Sequence, residues 1–208
     1  TVSLDNLQRV WEAKLEPVFP CRIKTTDTTP ETYSNANRIQ RSASIKVAQP
    51  RVLIPVFPGT NCEYDTARAF ERAGAKAETI VIRNLSASAI EESVNVFERA
   101  IKQSQIIMLP GGFSGGDEPE GSGKFITAFF RNAKIKDAVH DLLQNRDGLM
   151  LGICNGFQAL VKLGLVPLGE IIDMADDAPT LTFNTIARHQ SMMVTTRIAS
   201  NKSPWLYG

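Results

Sequence analysis

From Arg51 onward, short apolar runs alternate with segments of helical period, and that alternation constrains the fold more than any other feature. Val52–Phe57 reads as a strand that enters a Pro58-Gly59 turn. Cys62–Ala73 has helical spacing through Ala67, Phe70 and Ala73, and Gly74 is its stop. Ala77–Ile82 is a second strand. Ile90, Val94, Phe97 and Ile101 share one face of a helix over Ile90–Ile101. Gln105–Leu109 is a third strand, Phe125–Leu143 a long helix, and Leu149–Ile153 a fourth strand. Gly156–Leu163 is a helix ended by Gly164. Apolar strands bounded by helices imply a mostly parallel sheet covered on both faces, an α/β three-layer sandwich. Such sheets bind ligands beyond the carboxyl ends of their strands. Three glycine-containing loops fall there: 58–63, 110–117 and 152–156.

Residues 1–50 have a different character. Ser3 is placed to cap a short helix that carries Leu4, Leu7, Trp11 and Leu15 at helical spacing, with Pro17 and Pro20 beyond it. Residues 24–50 are polar and nearly free of apolar periodicity, as in a linker or a loosely docked strap. The expected organisation is therefore a linker with a short helix over 1–50 and one domain over 51–208. Across the 208 residues, 23 Lys and Arg balance 22 Asp and Glu. That balance excludes a nucleic-acid binder that relies on bulk positive charge. No apolar run reaches the roughly 18 residues needed to span a bilayer, and no signal peptide is visible. Three cysteines without a CxxC pair argue against a disulfide scaffold or a zinc site, and for a reducing, cytoplasmic setting.

The chemistry concentrates in Leu149-Met-Leu-Gly-Ile-Cys154-Asn-Gly-Phe-Gln158. An apolar strand runs into Gly-x-Cys-x-Gly and a helix follows. This is the nucleophile-elbow arrangement with Cys in the place of Ser. The turn is tight and strained, with φ > 0 expected at Cys154, so Gly152 and Gly156 must be small. A helix that begins beside the thiol favours its anionic form. The amide of Asn155 is placed to meet an oxyanion. The competing reading is a buried structural cysteine at a strand end. Cys21 and Cys62 are expected to have no catalytic role, although Cys62 falls near the same edge of the sheet.

The second loop, Leu109-Pro-Gly-Gly-Phe-Ser-Gly-Gly-Asp117, lets backbone approach a ligand closely. Exposed amides of this loop are candidates to complete an oxyanion hole with Asn155. A phosphate-binding turn is the alternative, disfavoured because no Gly-Lys-Ser/Thr ending follows. A thiolate nucleophile also needs a proton shuttle, usually histidine, and the chain has only two. His140 falls in the long helix and reads as a surface or packing residue. His189 falls in the polar run Ala187-Arg-His-Gln-Ser191, with no acid two positions on.

Three motifs occur together and in order: Pro58-Gly-Thr-Asn-Cys-Glu63, Pro110-Gly-Gly-Phe-Ser-Gly-Gly-Asp117 and Gly152-Ile-Cys-Asn-Gly-Phe-Gln158. On these the chain resembles the class I, triad-type glutamine amidotransferases. Within that class it resembles the glutaminase domain of phosphoribosylformylglycinamidine synthases. Gly115–Phe125, Pro179–Asn184, Arg188–Ser191 and Ser203–Trp205 resemble the large single-chain form. Residues 1–20, with Leu15-Glu-Pro-Val-Phe-Pro20, resemble its join between synthetase and glutaminase regions. The resemblance implies a flavodoxin-like fold and L-glutamine as substrate, attacked by Cys154 to give a γ-glutamyl thioester and ammonia. It implies an oxyanion site at Gly112, Phe113 and Asn155, and glutamine contacts from Gln158 and Ser114. The partner implied is a synthetase region of the same parent chain. There, ammonia converts formylglycinamide ribonucleotide to the formylglycinamidine ribonucleotide with ATP and Mg²⁺. Neither ATP nor the ribonucleotide has a motif in these residues, so no cofactor or metal is expected here, and neither nucleic acid nor membrane as partner.

One departure stands out. The family's base and orienting acid occur as His-x-Glu well beyond the nucleophile, and no His-x-Glu follows Cys154 here. The expectation is a glutaminase domain truncated at its C-terminus and nearly inactive by itself. Two rivals remain. A different Cys-elbow α/β hydrolase usually has His directly after the nucleophile, where this chain has Asn155. A non-catalytic interaction module of the same fold would not need the intact nucleophile loop.

Overall fold

A computed structural model describes residues 2–14, 17–18, 43–113, 123–181, 184, 189 and 191–206. The chain divides into two compact units, one of 43–182 and one formed from 1–42 with 183–208.

The larger unit is built on a four-stranded, wholly parallel sheet in the order β2-β1-β3-β4. The strands are β1 (Arg51–Val56), β2 (Lys76–Val81), β3 (Ile106–Leu109) and β4 (Leu149–Gly152). This is the order of the first four strands of flavodoxin-like folds, whose switch point lies between β1 and β3. The sequence at that point is informative. β1 pairs with β2 along its full length, but with β3 only at Val52↔Ile106 and Leu53↔Ile107. The carbonyl of Arg51 accepts from Gln105 on the β3 side. Alternate residues of a strand face the same neighbour, so Pro55 faces β3 as well. It has no N–H to extend that ladder, and the crevice of the switch point begins there.

Alternation along the strands divides the core. Val52, Ile54 and Met108 point to one face, against Ala67 and Phe70 of α2 (Glu63–Arg72). Leu53, Ile107 and Leu109 point to the other, with Phe97 and Ile101 of α3 (Ala87–Gln103), Ile126, Phe129 and Phe130 of α4 (Lys124–Phe130), Ile135 and Val139 of α5 (Ala133–His140), and Leu160 and Leu163 of α6 (Asn155–Leu163). Helices thus cover both faces, as in a flavodoxin-like α/β sandwich.

Several local expectations change. The helix over 125–143 is broken: Asn132 leaves helical geometry, and its side-chain oxygen accepts from the amide of Lys134, capping a new helix, α5. A π-helical turn, Asp141–Asn145, follows. The α3 helix starts earlier than the apolar spacing shows, because the Ser86 hydroxyl accepts from Ala89 N–H. Val94, Phe97 and Ile101 are buried as expected, but Ile90 in the first turn is exposed. Within the polar stretch, residues 43–50 dock. Ser44 donates from both N–H and Oγ to Asp147 Oδ2 at 2.8 Å, and Pro50 accepts from Lys76.

The smaller unit contains helix α1 (Leu4–Ala13), whose Leu4, Leu7, Val10 and Trp11 are all exposed. Ser3 occupies the N-cap position, yet its side chain makes no cap bond; its carbonyl accepts from Leu7. Among the described residues, no helix is long and apolar enough to cross a membrane.

Candidate active site

The site is built at the carboxyl edge of the sheet, where the loops after β1, β3 and β4 meet. The β4 strand ends at Gly152 and α6 begins at Asn155, leaving only Ile153 and Cys154 for the turn. Cys154 takes φ 53° and ψ −113°, a region almost closed to a residue with a Cβ. The turn is held by Gly156 N–H donating to Ile153, and Gln158 N–H to Cys154. Cys154 is exposed and its thiol is free.

The neighbouring glycines are steric requirements. A Cβ on Gly152 would lie 2.6 Å from the carbonyl oxygen of Gly156 and 2.7 Å from Leu160 Cδ1. A Cβ on Gly156 would run into the carbonyl of Leu109, 2.6 Å from its carbon. Real Cβ atoms do not come so close, so a side chain at either position would push the elbow off the strand ends.

The loop after β3 lies beside the thiol. A Cβ on Gly111 would be 3.2 Å from Cys154 Cβ and 3.9 Å from its sulfur. Gly112 has φ 118°, and a Cβ there would be 2.5 Å from both Asn61 N and Gly59 O of the β1 loop. Gly112 forms an antiparallel bridge with Thr60. Asn61 N–H donates to Gly111 O and Phe113 N–H to Gly59 O, each at 2.9 Å. The carbonyl of a trans peptide points opposite to its N–H. Since Gly111 O faces the β1 loop, the Gly112 N–H faces away from that loop. The Gly112 carbonyl faces the elbow and accepts from Asn155 Nδ2 at 2.9 Å.

The Phe113 amide, expected with that of Gly112 as a backbone donor, is bonded to Gly59 O in this structure. Phe113 contributes an exposed ring instead. Asn155 opens α6, so its amide belongs to the first turn, whose N–H groups lie at the positive end of the helix. Gln158, one turn on, is half-buried. Ser114 and Cys21 lie outside the described residues.

The β1 loop is rooted in the core. Phe57 is buried at its base, with its ring edge-on to Phe129 at 5.4 Å and Phe125 at 5.7 Å. Its N–H donates to Thr60 Oγ1, and its carbonyl accepts from Thr60 N–H. The sequence marked this loop as part of the site without giving Asn61, Gly59 or Thr60 a role. The signal available was a glycine turn at the carboxyl end of a central strand. Cys62, with φ 70°, ends the loop as an exposed free thiol at the N-cap of α2.

The histidines separate in function. Nε2 of His140 accepts from Ile171 N–H at 2.9 Å, so His140 is a packing residue that ties α5 to the chain after α6. His189 is exposed and belongs to the smaller unit. Among the described residues, no three His, Cys, Asp or Glu side chains cluster as metal ligands would.

The fold and site together define a parallel α/β protein with a strained, exposed cysteine turn at the carboxyl edge of its sheet and glycine backbone beside the thiol. A family of CobB/CobQ-like glutamine amidotransferase domains matches residues 49–208, and the chain belongs to it. It is 39% identical over 162 residues to the phosphoribosylformylglycinamidine synthase subunit PurQ of Methanococcus maripaludis strain C7, covering 76% of this chain and 53% of that protein. It is 36% identical over 144 residues to the subunit of the same name from Dehalococcoides mccartyi, covering 69% and 51%. A solved structure of PurLQS from Thermotoga maritima is 29% identical, with a TM-score of 0.40, over 56% of this chain and 45% of that one. The chain spans about half the length of the curated relatives it matches. These relatives carry the name of a separate subunit, not of a large single chain.

Proposed function

We propose that this chain supplies the nucleophile of a glutamine-hydrolysing site that feeds ammonia to the synthesis of formylglycinamidine ribonucleotide. The observation that carries the reading is the strained, exposed Cys154 elbow with the backbone of Gly111 against it. The Cys154 thiolate adds to the side-chain amide carbon of glutamine, and the carbonyl electrons move to oxygen. The amides of Gly112 and Asn155 hold that oxyanion. On collapse the C–N bond breaks, and nitrogen leaves as ammonia after taking a proton. Water then adds to the γ-glutamyl thioester, glutamate leaves, and the thiolate is restored. Gln158, one turn beyond Cys154, and Ser114 are proposed to contact the glutamine.

The proton carrier is proposed to be the family's His-x-Glu, in the length of the relatives that this chain does not span. His140 has its Nε2 engaged, which supports that placement. The ammonia acceptor, ATP and Mg²⁺ belong, on this reading, to a synthetase region, in the cytoplasm. Residues ahead of 49 lie outside the matched domain, which supports a glutaminase joined to that region in one long chain. The test is glutamate release by the complete natural protein that contains this sequence. Wild type should hydrolyse glutamine, Cys154→Ala should not, and the 208-residue chain should be slower by the roughly 10²- to 10⁴-fold that general-base help contributes. A Cys154→Ala protein with wild-type rates would overturn the reading.

A further inference from the structure

We infer that Thr60 is a positioning residue whose hydroxyl anchors to the core the loop that holds glycine backbone against Cys154. The inference rests on the glutaminase reading above and adds to it a residue of the loop after β1. Phe57, which follows β1, is 2% exposed, and its ring packs among Phe125, Phe129 and Phe130. Thr60 is tied to this fixed point twice. Its N–H donates to Phe57 O at 2.9 Å and closes a turn through Pro58 and Gly59. The φ of 85° at Gly59 suits the third position of a type II turn. In addition, Thr60 Oγ1 accepts from Phe57 N–H at 3.0 Å.

The two bonds restrain different parts of the loop. The turn bond holds the Gly59–Thr60 peptide, whose carbonyl also accepts from Phe113 N–H. The hydroxyl bond acts through the Thr60 side chain on its Cα, the pivot between that peptide and the next. The next peptide, Thr60–Asn61, carries the N–H that donates to Gly111 O at 2.9 Å. Gly111 is the residue where a Cβ would lie 3.2 Å from Cys154 Cβ. A run of direct contacts therefore leads from the core to the nucleophile through Phe57, Thr60, Asn61 and Gly111. The bond from Asn155 holds the Gly112–Phe113 peptide and does not reach Gly111 O. Removing the Thr60 hydroxyl takes the acceptor from Phe57 N–H and frees the Thr60–Asn61 peptide to turn. Gly111 and Gly112 have no side chains to resist the shift that follows. Backbone that meets a reacting group must be fixed in advance of the reaction, and the Thr60 hydroxyl supplies that fixity from a distance.

The experiment compares wild type, Thr60→Ser, Thr60→Val and Thr60→Ala in the complete natural protein. Rates are counted per site titrated with a glutamine-like chloroketone, so that unfolded protein does not enter. Val keeps the shape of Thr without the hydroxyl, and Ala removes the hydroxyl without depending on how Val fits. Both should lose about 10- to 10²-fold in kcat for glutamine, the range that a misplacement of about 1 Å costs. KM should stay within about twofold of wild type, as expected where ground-state binding is untouched. Ser keeps the acceptor and should restore kcat to within about twofold of wild type. Hydrogen exchange of the Asn61 amide should quicken in Val and Ala and stay at the wild-type rate in Ser. Wild-type kcat in Val or Ala would overturn the inference, and so would Ser as impaired as Ala. A raised KM with unchanged kcat would also overturn it, by making Thr60 a substrate contact. If Val does not fold, Ala against Ser decides. Failure of wild type itself to release glutamate would instead overturn the glutaminase reading, and Asn61 exchange would still report on the anchor.

Discussion

The two ends of the sheet are held together by different means. At the carboxyl edge, loops meet backbone to backbone: Asn61 to Gly111, Phe113 to Gly59, and Gly156 under the Leu109 carbonyl. At the amino edge, long side chains add to the backbone bonds from Lys76 to Pro50 and from Gln105 to Arg51. Gln105 Oε1 accepts from Arg51 N–H, and Arg51 pairs with Glu78 at 2.7 Å. Arg146 donates to the carbonyls of Ile101, Lys102 and Ser104 at the end of α3, while Asp141 holds its guanidinium at 2.8 Å. Charged side chains reach across gaps and tolerate movement. Backbone groups can be brought within reach of a reacting atom only where no Cβ intervenes, and there the tolerance is lost. On the proposed function, the difference separates the edge used for chemistry from the edge used for stability.

Substitutions should divide along the same line. The largest effect is expected from Gly156→Val, which drives a branched side chain into the Leu109 carbonyl. Hydrolysis should be abolished and stability should fall by about 1–3 kcal/mol, the usual cost of overpacking. Glutamate release and thermal midpoint, read on the same sample, check this; a stable and active variant would mean that 152–156 is not an elbow.

Gly112→Ala comes next. It strains a φ of 118° and crowds Asn61 and Gly59. The loss of one oxyanion donor costs about 10²- to 10³-fold in kcat, and that is the expected effect, with KM nearly constant. At the opposite edge, Arg146→Ala should leave kcat unchanged. It should destabilise by about 1–3 kcal/mol, measured by denaturant unfolding, because helix-end carbonyls lose their donor. A loss of activity larger than the loss of folded protein would break the division between the edges. The smallest effect is expected from Ser44→Ala, whose bonds to Asp147 are exposed; a change under about 1 kcal/mol with no kinetic consequence follows.

The comparison also explains what could be read in advance. The sheet was legible because each strand is an apolar run closed by glycine or proline, and Cys154 because an elbow leaves a short local pattern. The break at Asn132 is masked by the sheer density of apolar residues over 125–143, although the buried positions change phase there: on one continuous helix Ile126, Phe129 and Phe130 would lie nearly opposite Ile135, Ala138 and Val139. The direction of the Phe113 amide was hidden for another reason. It is set by a bridge between Thr60 and Gly112, residues far apart in sequence, and no local pattern encodes which way a peptide plane faces. The bond from the Asn155 side chain had no local signal either, because its partner, the Gly112 carbonyl, is 43 positions away in sequence. Ser114 and Cys21 lie outside the described residues.

The central claim is that Cys154 is the nucleophile that recognises glutamine. A glutamine-like chloroketone, added in limiting amount to the complete natural protein, tests it most directly. Peptide mapping should place the adduct on Cys154, and excess glutamine should protect it while iodoacetamide labelling of Cys62 continues. Cys62 is exposed as well, so preference for Cys154 would reflect the site and not access alone. Equal labelling of Cys62 and Cys154, or labelling of Cys154 that glutamine does not slow, would contradict the account.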